Sequence, residues 1–354
     1  MDNGAVVTAT GIRKSFGGRG GRIEVLVGVD LSIERGTVHA LLGPNGAGKT
    51  TTVRILSTLL RPDAGSATVA GYDVLREPER VRESIGVTGQ YAAVDELLTG
   101  EENLRLMARL ARLRRAEARR RCNELLELFD LTSAARRLVK TYSGGMRRRL
   151  DLAISLLARP PVIFLDEPTT GLDPRSRQAM WDVITGLVGD GVTILLTTQY
   201  LEEADRLAKR ITFIDRGRVV AEGTPEQLKS QIGAEQVELH LTTVDAVQKA
   251  VAELGDRAQH SDEEQRQVLV TTDGSAAAVR ALLDHMAAAA VPVERISLRR
   301  PSLDDVFLSL TETSLTDASR TDTGLTEASS TETSVTEASL TGAASTLQNG
   351  DRTR

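Results

Sequence analysis

The stretch GPNGAGKT, Gly43 to Thr50, constrains the fold of this chain more than any other. It fits the spacing G-x-x-x-x-G-K-[ST], follows the short apolar run TVHALL and precedes the helical pattern KTTTVRILSTLL. A strand that turns through glycines into a helix is the first unit of an α/β fold built to hold phosphate. Gly43, Pro44, Asn45, Gly46, Ala47, Gly48, Lys49, Thr50 and Thr51 form the candidate cradle. Its backbone N–H groups would wrap a β-phosphate, Lys49 would reach the β and γ oxygens, and Thr50 would ligate Mg²⁺. A turn that needed only positive φ would have no reason to be followed by a lysine and a hydroxyl.

VIFLDEP supplies acids to match. A buried strand ending in Asp166 and Glu167 places one carboxylate for Mg²⁺ and a second for orienting or deprotonating a water. Asp166 is therefore the metal candidate and Glu167 the general base. The plainer reading is a helix N-cap pair after a strand. Gln90, in VTGQYAAVDELLTGEEN, lies where a strand meets a helical insert, and its amide oxygen suits contact with metal or water. A polar loop residue is the plainer account of it. Together the loop and the acids describe a nucleoside triphosphatase that uses Mg²⁺.

KTYSGGMRRRLDLAIS raises a second phosphate question. Two glycines open an amphipathic helix, and Arg147, Arg148 and Arg149 crowd its first turn. A helix N-terminus already carries partial positive charge, so these arginines ask for an anion. One nucleotide between the first loop and the acidic strand still exposes its γ-phosphate, which YSGGM offers to cover. Two copies arranged head to tail, each covering the other's nucleotide, satisfy both sites.

GPNGAGKT, YSGGM, FLDEP and GLDP in this order resemble the nucleotide-binding subunits of ATP-binding cassette (ABC) transporters. The resemblance implies an α/β P-loop cassette, with a mixed sheet core, an antiparallel β subdomain and a helical subdomain. It implies that Phe16 stacks on adenine, that Ser143, Gly144 and Gly145 contact the γ-phosphate of the opposite protomer, and that Asp173 in GLDP speaks across the dimer. Most such subunits have a histidine where this chain has Gln199. Glutamine donates a hydrogen bond to a γ-phosphate but carries no proton or charge. Together with SLDDVFLSLT, that departure is similar to the daunorubicin/doxorubicin-resistance type of ATP-binding protein, over about residues 6–311. Such proteins imply a homodimer on a separate permease of the ABC-2 exporter type, at the cytoplasmic face of the cell membrane, exporting bulky amphiphiles.

The domain reading is 1–232 for the ATP-binding part, with its helical subdomain about 97–160. A compact α+β module of two or three strands spans 235–312, and a disordered tail spans 313–354. In the insert, Leu104, Met107, Leu110 and Leu113 read as one apolar stripe. The tail is rich in Ser, Thr, Ala and Glu, and its ten-residue repeats carry too few apolar residues for a core.

A net charge of −5 argues against general nucleic-acid binding, one cysteine excludes an internal disulfide, and the N-terminus lacks the build of a secretory signal. His39, His240, His260 and His285 lack metal-ligand spacing, and Trp181 reads as core. Eight arginines between residues 105 and 121 make the insert basic. A solvated helix face is the plain reading and contact with acidic lipid headgroups the sharper one. Three function classes fit the motifs: the ATPase motor of an exporter, a soluble cassette ATPase, and a nucleotide-gated regulator with little turnover. The ordered motifs favour the first, and the lack of a long coiled-coil insertion or a second cassette speaks against the second.

Overall fold

The computed structural model describes residues 4–18, 21–89, 94–232, 235–299 and 301–310. Strands β1 (Ala5–Gly18) and β2 (Gly21–Glu34) pair antiparallel, Val7 opposite Ile33 and Phe16 opposite Ile23. β3 (Val38–Leu42), buried throughout, runs through the glycine-rich loop into α1 (Lys49–Leu56). β4 (Ala64–Val69), β5 (Tyr72–Asp73), α2 (Pro78–Glu83) and β6 (Ile85–Thr88) precede a helical insert of α3 (Gly100–Leu110), α4 (Arg115–Leu128) and α5 (Gly144–Ser155). The chain then alternates through β7 (Val162–Asp166), α6 (Pro174–Gly189), β8 (Thr193–Thr198) and α7 (Leu201–Leu207). β9 (Arg210–Asp215), β10 (Arg218–Gly223) and α8 (Pro225–Ile232) follow. The remainder comprises β11 (Gln236–Leu241), α9 (Val244–Leu254), β12 (Ala258–Asp262), β13 (Gln267–Thr271), α10 (Ala276–Ala288), β14 (Val293–Arg299) and a helix at 303–310.

The central sheet has the order β10-β9-β3-β8-β7-β6, parallel except for β10. Period-two alternation divides its strands between two cores. Leu42, Ile163, Leu165 and Leu196 enter one with the helical insert, whereas Leu41, Val162, Phe164 and Leu195 enter the other with the β2-β1-β4-β5 sheet. Strands covered on both faces need apolar residues at consecutive positions, which is why VIFL and TILL read as unbroken runs. Their C-terminal ends deliver Asp166 and Thr198 to one edge.

Local chemistry fixes the junctions. α3 opens on a capping box, Thr99 accepting from the Glu102 N–H while the Glu102 carboxylate accepts from the Thr99 N–H at 2.8 Å. The β9–β10 hairpin closes at Arg216 and Gly217, with φ of 47° and 75°, the mirror-image turn expected of that pair.

Two expectations need correction. Leu104 is fully buried, but Leu110 is 67% exposed and Leu113 half-buried, because each step of three residues falls about 60° short of a turn and carries Leu110 off the face of Leu104 and Ala108. The C-terminal module has four strands, in the order β12-β13-β11-β14. The extra one, AQHSD, is a largely exposed edge strand without apolar alternation. α9 and α10 cover one face of this sheet through Val237, Leu239, Leu241, Val268 and Val270. The 303–310 helix joins a different core, with Leu303 and Val306 packing in the helical-insert cluster and the Phe307 ring 6.3 Å from that of Phe213. Trp181 is buried, its indole N–H donating to the Glu203 carboxylate at 3.0 Å.

Candidate active site

The glycine-rich loop owes its shape to crowding. Gly43 and Gly48 have φ of 158° and 110°. A Cβ would stand 2.1 Å from the Ile214 carbonyl oxygen at the first and 2.5 Å from Leu26 at the second. Any side chain there must displace a core strand. Lys49, 5% exposed, turns back into the loop and donates to the carbonyls of Gly43 at 2.7 Å and Pro44 at 3.1 Å. Burial pushes its ammonium pKa down, against the opposing pull of Glu167 and Asp166. Asn45 and Gly46 are exposed, Ala47 is buried and Thr51 half-buried. The neighbouring Thr52 is committed to the helix through a 3.0 Å bond to the Gly48 carbonyl.

The acidic pair arrives from the end of β7. Asp166 Oδ1 accepts from the Thr50 hydroxyl at 3.2 Å and from Thr197 at 2.5 Å. Glu167 adopts φ 50°, left-handed for a residue with a side chain, and its N–H donates to the Thr197 carbonyl at 3.0 Å. That turn brings Glu167 Oε1 within 4.0 Å of Lys49 Nζ. One cleft therefore gathers an ammonium, two carboxylates and a hydroxyl. The hard oxygens of Thr50 and Asp166 suit Mg²⁺, which takes few protein ligands and completes its octahedron with phosphate and water. Gln90 lies outside the described residues.

The third motif behaves differently. Ser143 caps α5, accepting from the Met146 N–H at 3.2 Å, and both Ser143 and Gly144 are exposed. A Cβ on Gly144 would meet nothing within 4 Å, whereas one on Gly145 would stand 2.6 Å from the Ser176 hydroxyl. Gly145 is thus a close approach to α6. Among the described residues no hydrogen bond or ion pair joins Ser143, Gly144 or Gly145 to the Gly43–Thr51 loop. Asp173 caps α6, accepting from the Ser176 N–H at 2.9 Å and hydroxyl at 2.6 Å. These bonds hold its carboxyl below the usual carboxylate range.

The arginine argument from sequence is corrected here. The three residues after Met146 do not await an anion, because each finds a partner inside the fold. Arg147 pairs with Glu96 at 2.7 Å, and Arg149 donates to the Phe129 carbonyl at 2.9 Å. Arg148, buried, donates to the carbonyls of Asp166 at 2.9 Å, Pro168 at 3.0 Å and Gly89. It ties α5 to the acidic strand and to the segment just before Gln90. Sequence reasoning missed this tie, since its acceptors are backbone oxygens; Asp151, whose carboxylate lies 3.5 Å from Arg148 on the same helix, was the legible partner.

Gln199 is exposed just past β8 and lines a cavity of 290 Å³ with Leu42, Gly43, Pro44, Asn45 and Phe307. Phe307 comes from the helix at 303–310, which no motif linked to the glycine-rich loop. Thr197 was also missed, being one of several threonines in an apolar run. Phe16 is 42% exposed, with Lys14 Nζ 5.6 Å from its ring centroid. An open aromatic face suits stacking on a flat heterocycle. Among the described residues no helix is long and apolar enough to cross a membrane.

The chain is similar to proteins of known family. An ABC transporter model matches residues 26–170, and one for the C-terminal domain of DrrA1-3-like ATP-binding proteins matches residues 223–311. Daunorubicin resistance ATP-binding protein DrrA2 of Streptomyces coeruleorubidus is 53% identical over 312 residues, which cover 87% of this chain and 96% of that one. Doxorubicin resistance ATP-binding protein DrrA of Mycobacterium tuberculosis is 51% identical over 311 residues, covering 86% and 93%. A dimeric ATP-binding cassette solved in a post-hydrolysis state with ADP and Pi superposes with a TM-score of 0.57 at 27% identity, over 62% of this chain and 98% of that chain. With two close relatives spanning nearly its whole described length, the chain belongs to the ABC transporter ATP-binding proteins of the daunorubicin/doxorubicin-resistance family.

Proposed function

We propose that this ABC ATPase is the motor of an exporter, coupling ATP-driven dimerisation to efflux of a drug or similar amphiphile through a separate ABC-2 type permease. Two copies associate head to tail at the cytoplasmic face of the membrane, the basic insert lying near acidic headgroups. The observation that carries this reading is the cleft in which Lys49, Thr50, Asp166 and Glu167 converge, together with a signature loop left open to the outside.

In this reading Lys49 and the loop amides hold the β and γ oxygens, Phe16 stacks on adenine, and Thr50, Asp166 and Gln90 hold Mg²⁺. The metal supplies charge neutralisation on the phosphates when bound. Glu167, whose Oε1 lies 4.0 Å from Lys49 Nζ, accepts the proton of the attacking water. Gln199 donates a hydrogen bond to the γ-phosphate, and its lack of a titratable proton leaves Glu167 as the base. Ser143, Gly144 and Gly145 of one protomer close the site of the other, and Asp173 lies between the two.

Steady-state ATPase assays on the wild type and on Glu167→Gln test the chemistry. The substituted protein retains ATP and elutes from gel filtration as a dimer. A monomer that still hydrolyses ATP refutes the role given to Glu167. Crosslinking with bound triphosphate joins Ser143 of one protomer to the surroundings of Lys49 in the other, and its failure refutes the shared site. A regulatory cassette with little turnover is the second reading, favoured only by Gln199; a substantial turnover rate excludes it.

A further inference from the structure

The helical insert contains a second concentration of charge, remote in sequence from every motif used above. Between residues 105 and 121 the chain places eight arginines against one glutamate, Glu117, in a protein whose net charge is −5. α3 and α4 form a hairpin whose inner sides bury Leu104, Ala108, Cys122 and Leu125. The two helices also share a cleft of 490 Å³ lined by Arg105, Arg109, Leu113, Arg115, Ala118 and Arg119.

Arg105 pairs with Glu101 along the helix. Among the described residues Arg109, Arg115 and Arg119 make no ion pair or side-chain hydrogen bond. These groups repel one another, since Arg105 and Arg109, like Arg115 and Arg119, are four residues apart on one helix face. Arg115 is also the first residue of α4, where the helix dipole disfavours a cation. The sequence thus accepts two unfavourable placements around one cleft. A guanidinium presents a planar fork of donors that matches phosphate oxygens two at a time, and four forks around one cleft outnumber the demands of solvation.

The same hairpin carries exposed apolar residues. Leu110 is 67% and Leu106 43% exposed, both on α3 beside the basic cleft. Exposed leucines among unpaired arginines fit an interface where the cations meet headgroups and the leucines meet acyl chains. A soluble phosphate would use the arginines and leave the leucines idle.

We propose that the α3–α4 cleft is a binding site for the phosphate of an anionic lipid headgroup, anchoring the protein to an acidic membrane independently of the permease. The inference rests on the membrane-facing reading of this protein, but vesicle binding requires neither permease nor ATP turnover. Its failure is therefore distinguishable from failure of the motor assignment.

The test is flotation of the purified full chain with phosphatidylcholine vesicles, with and without phosphatidylglycerol. The wild type floats only with the acidic vesicles, and the association weakens as salt rises. Arg115→Gln/Arg119→Gln weakens it about 30-fold, the product of two arginines each contributing about fivefold near an acidic surface. Leu110→Ser weakens it less. A charge-matched control, Arg218→Gln/Arg280→Gln, removes two exposed arginines elsewhere and floats as the wild type does. All four positions are exposed, so thermal melts of both double variants match the wild type, as do their ATPase rates in solution. Equal losses in the two double variants would reduce the effect to net charge and overturn the site. Pyrophosphate displacing the protein from vesicles at matched phosphate, with Leu110→Ser binding normally, would mark a free-anion site and overturn the lipid assignment.

Discussion

The Gly43–Thr51 loop and the Ser143–Gly145 loop are both glycine-bearing entries to a helix, yet they differ in how complete they are. The first is closed on itself. Gly43 and Gly48 sit where a Cβ would strike backbone or core, and its own Lys49 fills the turn by donating to two loop carbonyls. The second has a serine cap, one glycine facing open space and no cation of its own turned inward. Arg147, Arg148 and Arg149 all reach elsewhere. A helix N-terminus attracts anions whether or not it is enclosed, so the difference lies in what completes it. The first loop is finished by its own chain, and the second is finished, on the function proposed here, by a twin.

The largest expected effect falls on the site that the first loop completes. Glu167→Gln lowers the steady-state ATPase rate by about 10²–10⁴-fold, the range for loss of a general base, with nucleotide affinity retained. Next comes the contrast between glycines. Gly48→Ala forces a side chain at φ 110° into Leu26 and destabilises the fold by more than about 3 kcal/mol, read by urea titration. Gly144→Ala leaves stability within about 0.5 kcal/mol and lowers only the ATP-dependent dimerisation. Equal unfolding midpoints for the two variants would break the comparison.

A comparable effect is expected from pH. His39, buried on the strand that feeds the first loop, has its Nε2 2.8 Å from the Thr212 hydroxyl. Burial, aided by Arg210 and opposed by Glu34, depresses its pKa to about 4. The folded state therefore binds the proton less well than the unfolded state. The stability held above pH 6.5 is lost as pH falls toward 4, by about 3 kcal/mol. His39→Gln flattens that limb of the curve. A smaller effect than that of pH belongs to the second loop, where Ser143→Ala removes a helix cap and costs about 1 kcal/mol, measured by the same titration.

The first loop was legible in sequence because its chemistry is local. Gly43, Lys49 and Thr50 lie within eight residues, and strand and helix patterns flank them. The hairpin at Arg216 and Gly217 was legible for the same reason. What escaped notice was carried by backbone oxygens or distant segments. Arg148 looked like an unpaired cation because the carbonyls of Gly89, Asp166 and Pro168 leave no trace in a sequence and its i+3 pairing with Asp151, at 3.5 Å, was passed over. Phe307 reaches the cavity beside Gln199 from more than a hundred residues away, and β12 is held by pairing with β13 instead of by an apolar face of its own. Leu110 misled because a stripe drawn through residues 104, 107 and 110 drifts about 120° around α3, away from the face of Leu104 and Ala108.

One backbone angle has an evolutionary consequence. Glu167 occupies a conformation that glycine or asparagine would enter with less resistance, anchored by the Thr197 backbone. A population selected for heat tolerance alone would drift toward those residues at this position and surrender the carboxylate. Persistence of the acid there in descendants of such a culture would mean that turnover, not ruggedness, is what the cell defends.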